Sequence, residues 1–259
     1  PPTDKVSANG VDVGVVGYKW EPVRDVLKLD IKPITFKKAK RGLPSAPVEG
    51  NLLDVLSGCF TKRVIAGQVA SVFDPLGWST PILGKLKLDM SSICRLKTDW
   101  DDKLPAELLP DWGDNLASIR LLSQLEVPRN IGLQGAGDKL ELLVCTDASQ
   151  QLAVATVYCR TIHGNGSVTC QLMCAKSGLA NKLTIPRGEL KAAKMGASIG
   201  HAVSLYVGPS VSRIVYATDS TIVLFWLTQD SRPLQTGVRN AIIEIRRLTD
   251  PTNWYHVSG

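Results

Sequence analysis

Two apolar, strand-like runs in the second half of the chain each end in an aspartate. A helix-like run between them opens on a glutamate. The run LELLVC leads into CTDAS with Asp147, PRGEL carries Glu189, and RIVYA leads into ATDST with Asp219. Aspartate is depleted in strands, and a buried carboxylate is costly unless it is paired or binds a cation. Each residue also has an ordinary role open to it. Asp147 can make a turn with the following ASQQ, Glu189 can sit in a first helical turn, and Asp219 can cap the helix that follows. All three together, on two strand ends and one helix, predict carboxylates converging on one spot. Hard oxygen ligands from different elements are what a pair of divalent cations a few ångströms apart requires.

The elements around these residues restrict the fold further. LELLVCTDAS, AVATVYCRT and SVTCQLMCAK are three strand-like runs, and His163-Gly164-Asn165-Gly166 between the last two signals a hairpin. A helix is predicted over about Arg187 to Tyr206, then a strand over Arg213 to Thr218. Helices follow over about Ser220 to Thr228 and Leu234 to Leu248, and TNWYHV is the final strand-like piece. The order β-β-β-α-β-α-α-β predicts an α/β fold whose five-stranded mixed sheet carries flanking helices. Asp147 and Asp219 are then expected on adjacent central strands. Ala192, Ala193, Gly196 and Gly200 give the Glu189 helix a small-residue face that lets it lie close to the sheet.

The first half reads as α+β. GVVGYKW and DVLKLDI suggest two strands about a turn at Glu21-Pro22. Residues 37–50 read as a loop whose basic run, Lys37, Lys38, Lys40 and Arg41, suits phosphates or simple solvation. One helix is predicted from Leu53 to Phe73, ending at the turn Asp74-Pro75-Leu76-Gly77. A second starts at Thr80-Pro81 and a third follows Pro105. Leu125 to Gly137 reads as a linker, which divides the chain into 1–130 and 131–259.

The net charge of +6 suits a polyanionic partner, although a modest lysine excess is also common on surfaces without one. Six cysteines without a CxxC, beside only three histidines, argue against zinc and for free thiols in a reducing compartment. Cys170 and Cys174, four apart on a strand, are expected to share a face. No run approaches the ~18 apolar residues of a membrane span. With PPTDK at one end, HVSG at the other and no signal-like segment, the chain is expected to be a piece of a longer polypeptide.

The sequence FTKRVIAGQVASVFDPLGWSTPILGKLKL, with WDDKLP after it, resembles the signature of Pao/BEL-type LTR retrotransposon polyproteins. The second half resembles their RNase H domain. GVVGYKW is similar to the hairpin that follows a reverse transcriptase's catalytic palm and helps to grip the primer end. The resemblance covers nearly the whole chain. It implies a thumb and connection segment over 1–130 and an RNase H-like domain over 131–259. No YxDD-type motif is present, so polymerisation is not expected. The family often carries an aspartic peptidase label, but no Asp-Thr-Gly or Asp-Ser-Gly triplet occurs, and Asp219-Ser220-Thr221 is the nearest miss.

The resemblance further implies hydrolysis of the RNA strand of RNA–DNA hybrids with two Mg²⁺ ions (or Mn²⁺). Asp147 would bridge them and Glu189 and Asp219 would complete one site. A fourth carboxylate is expected after the last strand, TNWYHV, and its absence from this sequence would impair cleavage; Asp250 precedes that strand. Expected nucleic-acid contacts are Lys37, Lys38, Lys40 and Arg41, with Arg187 and Lys191 beside the acidic site and Arg239 and Arg246 on the late helix. Partners would be the hybrid and the rest of the Pol polyprotein, with no membrane. The setting would be intracellular, in a cytoplasmic virus-like particle or the nucleus. A non-catalytic nucleic-acid-binding or scaffold segment of a retroelement polyprotein is the alternative.

Overall fold

A computed structural model describes residues 13–31, 52–132, 135, 137–229 and 234–258. The chain divides into two units: Pro1–Pro75 with Pro81–Arg129, and Leu76–Thr80 with Asn130–Gly259.

In the first unit, strands β1 (Val13–Val15), β2 (Tyr18–Glu21) and β3 (Val26–Leu29) pair antiparallel in sequence order. The single run GVVGYKW is therefore two strands. Val16 and Gly17 turn it, with φ of 39° and 85°. The expected helix over Leu53–Phe73 is likewise two, α1 (Leu52–Cys59) and α2 (Lys62–Ala70). Thr61 makes the break: its backbone is extended and its hydroxyl accepts the amide of Val64, a side-chain N-cap. Helices α3 (Thr80–Cys94) and α4 (Leu109–Leu121) follow. Leu56, Ile65, Leu86, Trp112, Leu116 and Ile119 are buried among them. The predicted linker also holds a strand, β4 (Glu126–Pro128), which pairs with β3 through Leu27 and Val127.

The second unit is a five-stranded mixed sheet. Strands β5 (Lys139–Ala148), β6 (Leu152–Ile162) and β7 (Val168–Leu179) form two antiparallel hairpins. Helix α5 (Ile185–Val207) leads to β8 (Val211–Thr218), which lies parallel to β5. After α6 (Thr221–Thr228) and α7 (Thr236–Leu248), β9 (Trp254–His256) adds parallel to β8. The order is β7-β6-β5-β8-β9, so the two aspartate-bearing strands are neighbours at the centre, as the sequence pattern predicts.

Alternation sets the core. Leu140, Leu142, Val144 and Thr146 of β5, and Ala153, Ala155, Val157 and Cys159 of β6, are buried. Tyr216 of β8 stacks on Trp254 of β9 with ring centroids 4.8 Å apart, and burial pushes the phenol up to about 12. The register slips between Val157 and Tyr158, where Cys174 faces Val157 but Leu172 faces Tyr158. This extra residue reverses the alternation on β7. Cys170 and Cys174 therefore lie on opposite faces, and only Cys174 packs against the core.

Leu76–Thr80 belongs to this unit as an attachment to β7. The amide of Ala175 donates to the carbonyl of Leu76 at 2.8 Å, and the Trp78 indole donates to that of Met173 at 3.0 Å. Gly77 has φ of +73°, and a Cβ there would sit 1.8 Å from the Ala175 carbonyl oxygen, so the sequence reads Gly. A segment that reads in sequence as a plain turn is thus also a strand contact.

Candidate active site

The last registered pair of β5 and β8 is Thr146 and Thr218, and each strand presents an aspartate at the next position. Asp147 and Asp219 are both exposed and line one cavity of about 470 Å³. Cys145, Thr146, Val154, Thr156, Ala217 and Val257 complete its wall. The Thr146 hydroxyl is turned away, donating to the Ala217 carbonyl at 3.2 Å. Burial pushes the Cys145 thiol up, which leaves it a neutral part of the wall.

Neither aspartate performs the ordinary role open to it. The turn after β5 is made by Ser149, whose hydroxyl accepts the amides of Gln151 and Leu152 at 3.2 and 3.1 Å. The cap of α6 is Ser220, whose hydroxyl accepts the amide of Val223 at 3.2 Å. Ser220 also donates to a carboxylate oxygen of Glu189. Glu189 is thereby moored to the residue next to Asp219. The start of α5 also approaches Asp147: a Cβ on Gly188 would stand 3.4 Å from that of Ala148 and 3.7 Å from the Ser149 carbonyl oxygen.

All three candidate ligands are oxygen donors, as a hard divalent cation prefers, and Glu189 keeps lone pairs beyond the one given to Ser220. Among the described residues no group of three His, Cys, Asp or Glu side chains is arranged to hold a metal ion. The donors present thus fit such an ion in kind, with two of them sharing the cavity and the third tied beside it. Asp250 does something else. It accepts the amide and hydroxyl of Thr252 at 2.9 and 2.8 Å, which hold its carboxyl below the usual carboxylate range.

The basic candidates are distributed differently from the sequence expectation. Arg187 and Lys191 do not line the acidic cavity. They line a second one, of about 300 Å³, between α5 and α7. The physical reason is helical phase: residues two apart on a helix point about 200° apart, so Arg187 and Glu189 face opposite ways. Arg246 is largely structural, because its guanidinium donates to the carbonyls of Trp226, Leu227 and Gln229 at the end of α6. Arg239 is exposed on α7. Lys37, Lys38, Lys40 and Arg41 lie outside the described residues. Sequence reasoning does not single out Ser220 or Ser149. The signal for Ser220 is the dipeptide Ser-Thr opening an apolar helix immediately after a strand-end aspartate.

A family model described as a Pao retrotransposon-like RNaseH-like domain matches residues 61–220. No curated protein matches the chain. Among solved structures, RNase H1 from the halophilic archaeon Halobacterium salinarum NRC-1 is similar at 16% identity and a TM-score of 0.30, over 46% of this chain and 86% of that one. A foamy viral protease-reverse transcriptase dRH in complex with dsDNA is similar at 11% identity and a TM-score of 0.49, over 96% of this chain and 38% of that one. The foamy viral protease-reverse transcriptase in complex with dsDNA is similar at 15% identity and a TM-score of 0.43, over 96% and 44%.

Proposed function

Because the chain belongs to the Pao retrotransposon-like RNaseH-like domain family, we propose that it hydrolyses the RNA strand of RNA–DNA hybrids within a retroelement Pol polyprotein. The observation that carries this reading is the placement of Asp147 and Asp219 on adjacent strand ends, in one cavity, with neither used as a turn or helix cap. The hydrogen bond from Ser220, the residue after Asp219, to Glu189 supports counting Glu189 with them. Asp147, Glu189 and Asp219 would hold Mg²⁺ or Mn²⁺. Bound there, such ions supply Lewis-acid stabilisation of phosphoryl charge and a water of lowered pKa. The chain itself fixes the geometry. Two hydrogen-bonded strands set the aspartates side by side, and the Ser220 hydroxyl orients Glu189. Residues 1–130 would serve as a thumb and connection segment, and the setting would be a cytoplasmic virus-like particle or the nucleus.

The test is cleavage of a labelled RNA–DNA hybrid with Mg²⁺, beside Asp147→Asn and Asp219→Asn. Loss of one preorganised electrostatic element costs ~100-fold to 1000-fold in rate, and each variant should show at least that. Millimolar Mg²⁺ should also raise the melting temperature of the parent but not of Asp147→Asn. Binding of hybrid without cleavage, and without a metal-dependent rise, would favour a non-catalytic nucleic-acid-binding or scaffold segment. The lack of a three-ligand group among the described residues is the observation on that side.

A further inference from the structure

The second cavity lies on the face of α5 turned away from Glu189. Arg187, Lys191 and Lys194 line it at positions i, i+4 and i+7 of α5, so they share one face. Among the described residues no carboxylate lines it. The nearest acid by contact is Glu244, whose oxygen lies 2.7 Å from the Lys194 ammonium and neutralises that cation alone. Arg187 is held by a neutral acceptor, the side-chain carbonyl of Gln235. Lys191 is held by another, the main-chain carbonyl of Leu179, at 2.6 Å. Two full positive charges are therefore held one helical turn apart, with no carboxylate among the described residues of the wall. Like charges four residues apart repel and lower helix stability. Chain segments that hold them in place anyway favour an anion between them.

The rest of the wall is apolar. Leu190 and Val238 are buried, Ala241 packs against the core, and Leu183 lies at the rim. α7 adds Gly237, whose missing side chain leaves open space. The first turn of α7 carries no acidic residue that would compete for the cations. At about 300 Å³ the cavity is at the small end of ligand sites.

We propose that this cavity is a phosphate-ester site, in which Arg187 and Lys191 bind a phosphate and the apolar wall takes the attached sugar or base. Arg187 offers a planar fork of donors suited to phosphate, and Lys191 a point charge. A free nucleotide and a nucleic-acid strand share this chemistry. The site is independent of the acidic cavity and of any metal.

The test uses the full chain in EDTA, so that divalent-metal chemistry is silent. Binding of 5′-AMP, inorganic phosphate and an oligothymidylate is measured by calorimetry for the parent, Arg187→Gln, Lys191→Gln and the double variant. Lys176→Gln, an exposed lysine on β7, controls for net charge. Melting curves confirm that each variant is folded, and Arg187→Gln keeps the Lys191 contact with β7 intact if Lys191→Gln unfolds. The proposal expects at least a tenfold loss of affinity in Arg187→Gln and a larger one in the double variant, with less than twofold for Lys176→Gln. AMP binding more tightly than inorganic phosphate would identify a nucleotide as the source. Binding confined to the oligonucleotide, and lost in the same variants, would identify a strand. Absence of binding by all three ligands, or equal losses in Lys176→Gln, would overturn the proposal. Reading binding in EDTA, with variants only at residues that line this cavity and not the one of Asp147 and Asp219, separates this result from the fate of the nuclease reading.

Discussion

Ser220 shows how one small side chain can serve structure and site together. It is buried, its oxygen caps α6 through Val223, and its proton goes to Glu189. Replacing a serine cap by alanine costs ~0.5–2 kcal/mol. Ser220→Ala should therefore lower stability by about 1 kcal/mol, read from urea unfolding. It should also weaken the Mg²⁺-induced rise in melting temperature, because Glu189 loses its mooring. A variant with lower stability but an unchanged metal response would show that the Ser220 hydroxyl does not position Glu189 for metal binding. The two strand-end aspartates stand out in the sequence because acids there conflict with local propensity, and Glu189 stands out only by its place on the helix between them. The roles of Ser149 and Ser220 are not, because a serine near a turn satisfies propensity whichever backbone amide it meets. Arg246 misleads for a related reason: composition cannot distinguish a cation reaching solvent from one engaged with the carbonyls of α6.

The long second-half elements follow from periodicity, because alternation over ten or more residues and a small-residue helical face leave few options. The short first-half elements do not. β4 has three residues and includes a proline, and it exists because β3 offers it an edge. Contact of this kind is tertiary and has no local signature. Close approach between elements also sets a prediction. A Cβ on Gly196 of α5 would stand 2.4 Å from Thr146 Cγ2 and 3.2 Å from Val144 Cγ1 on β5. Overpacking of that sort costs ~1–3 kcal/mol, against a gain of ~0.5–1 kcal/mol in helix propensity. Gly196→Ala should therefore destabilise the protein on balance, and a raised melting temperature would refute the tight packing. The small sheet carries a pH dependence instead. The Arg24 guanidinium, with Lys28, holds the Glu126 carboxyl at about 2, and Arg129 holds that of Asp25 low. Depressed carboxylates stabilise the fold above their unfolded values, and that stability is lost as pH falls toward about 2. Amide protection in β3 and β4 should fall across that window. The effect should be modest and smaller in high salt, since these groups are exposed.

At the scale of the whole molecule, net charge bears on the binding of a polyanion and the acidic cavity on the proposed cleavage. A net charge of +6 favours a polyanion, while Asp147 and Asp219 put two negative charges where a phosphate would have to come. Binding and cleavage should therefore respond to different changes. Affinity for a hybrid should fall steeply with salt, because each neutralised phosphate releases counterions. With about four phosphate contacts, a rise from ~50 to ~200 mM salt costs on the order of 100-fold. Asp147→Asn removes one repelling charge without touching a cation. It should keep the same salt slope, bind hybrid at least as tightly as the parent, and lose cleavage. Arg239→Gln, at an exposed position of α7, should by contrast reduce the slope by about one if that residue meets a phosphate. Filter binding over a salt series, run on the three proteins together, reads all of these at once. A parent whose affinity is flat with salt would rule out the polyanion as partner and leave the acidic cavity without its substrate. A steep slope that Arg239→Gln leaves unchanged would move the contacts elsewhere on the surface.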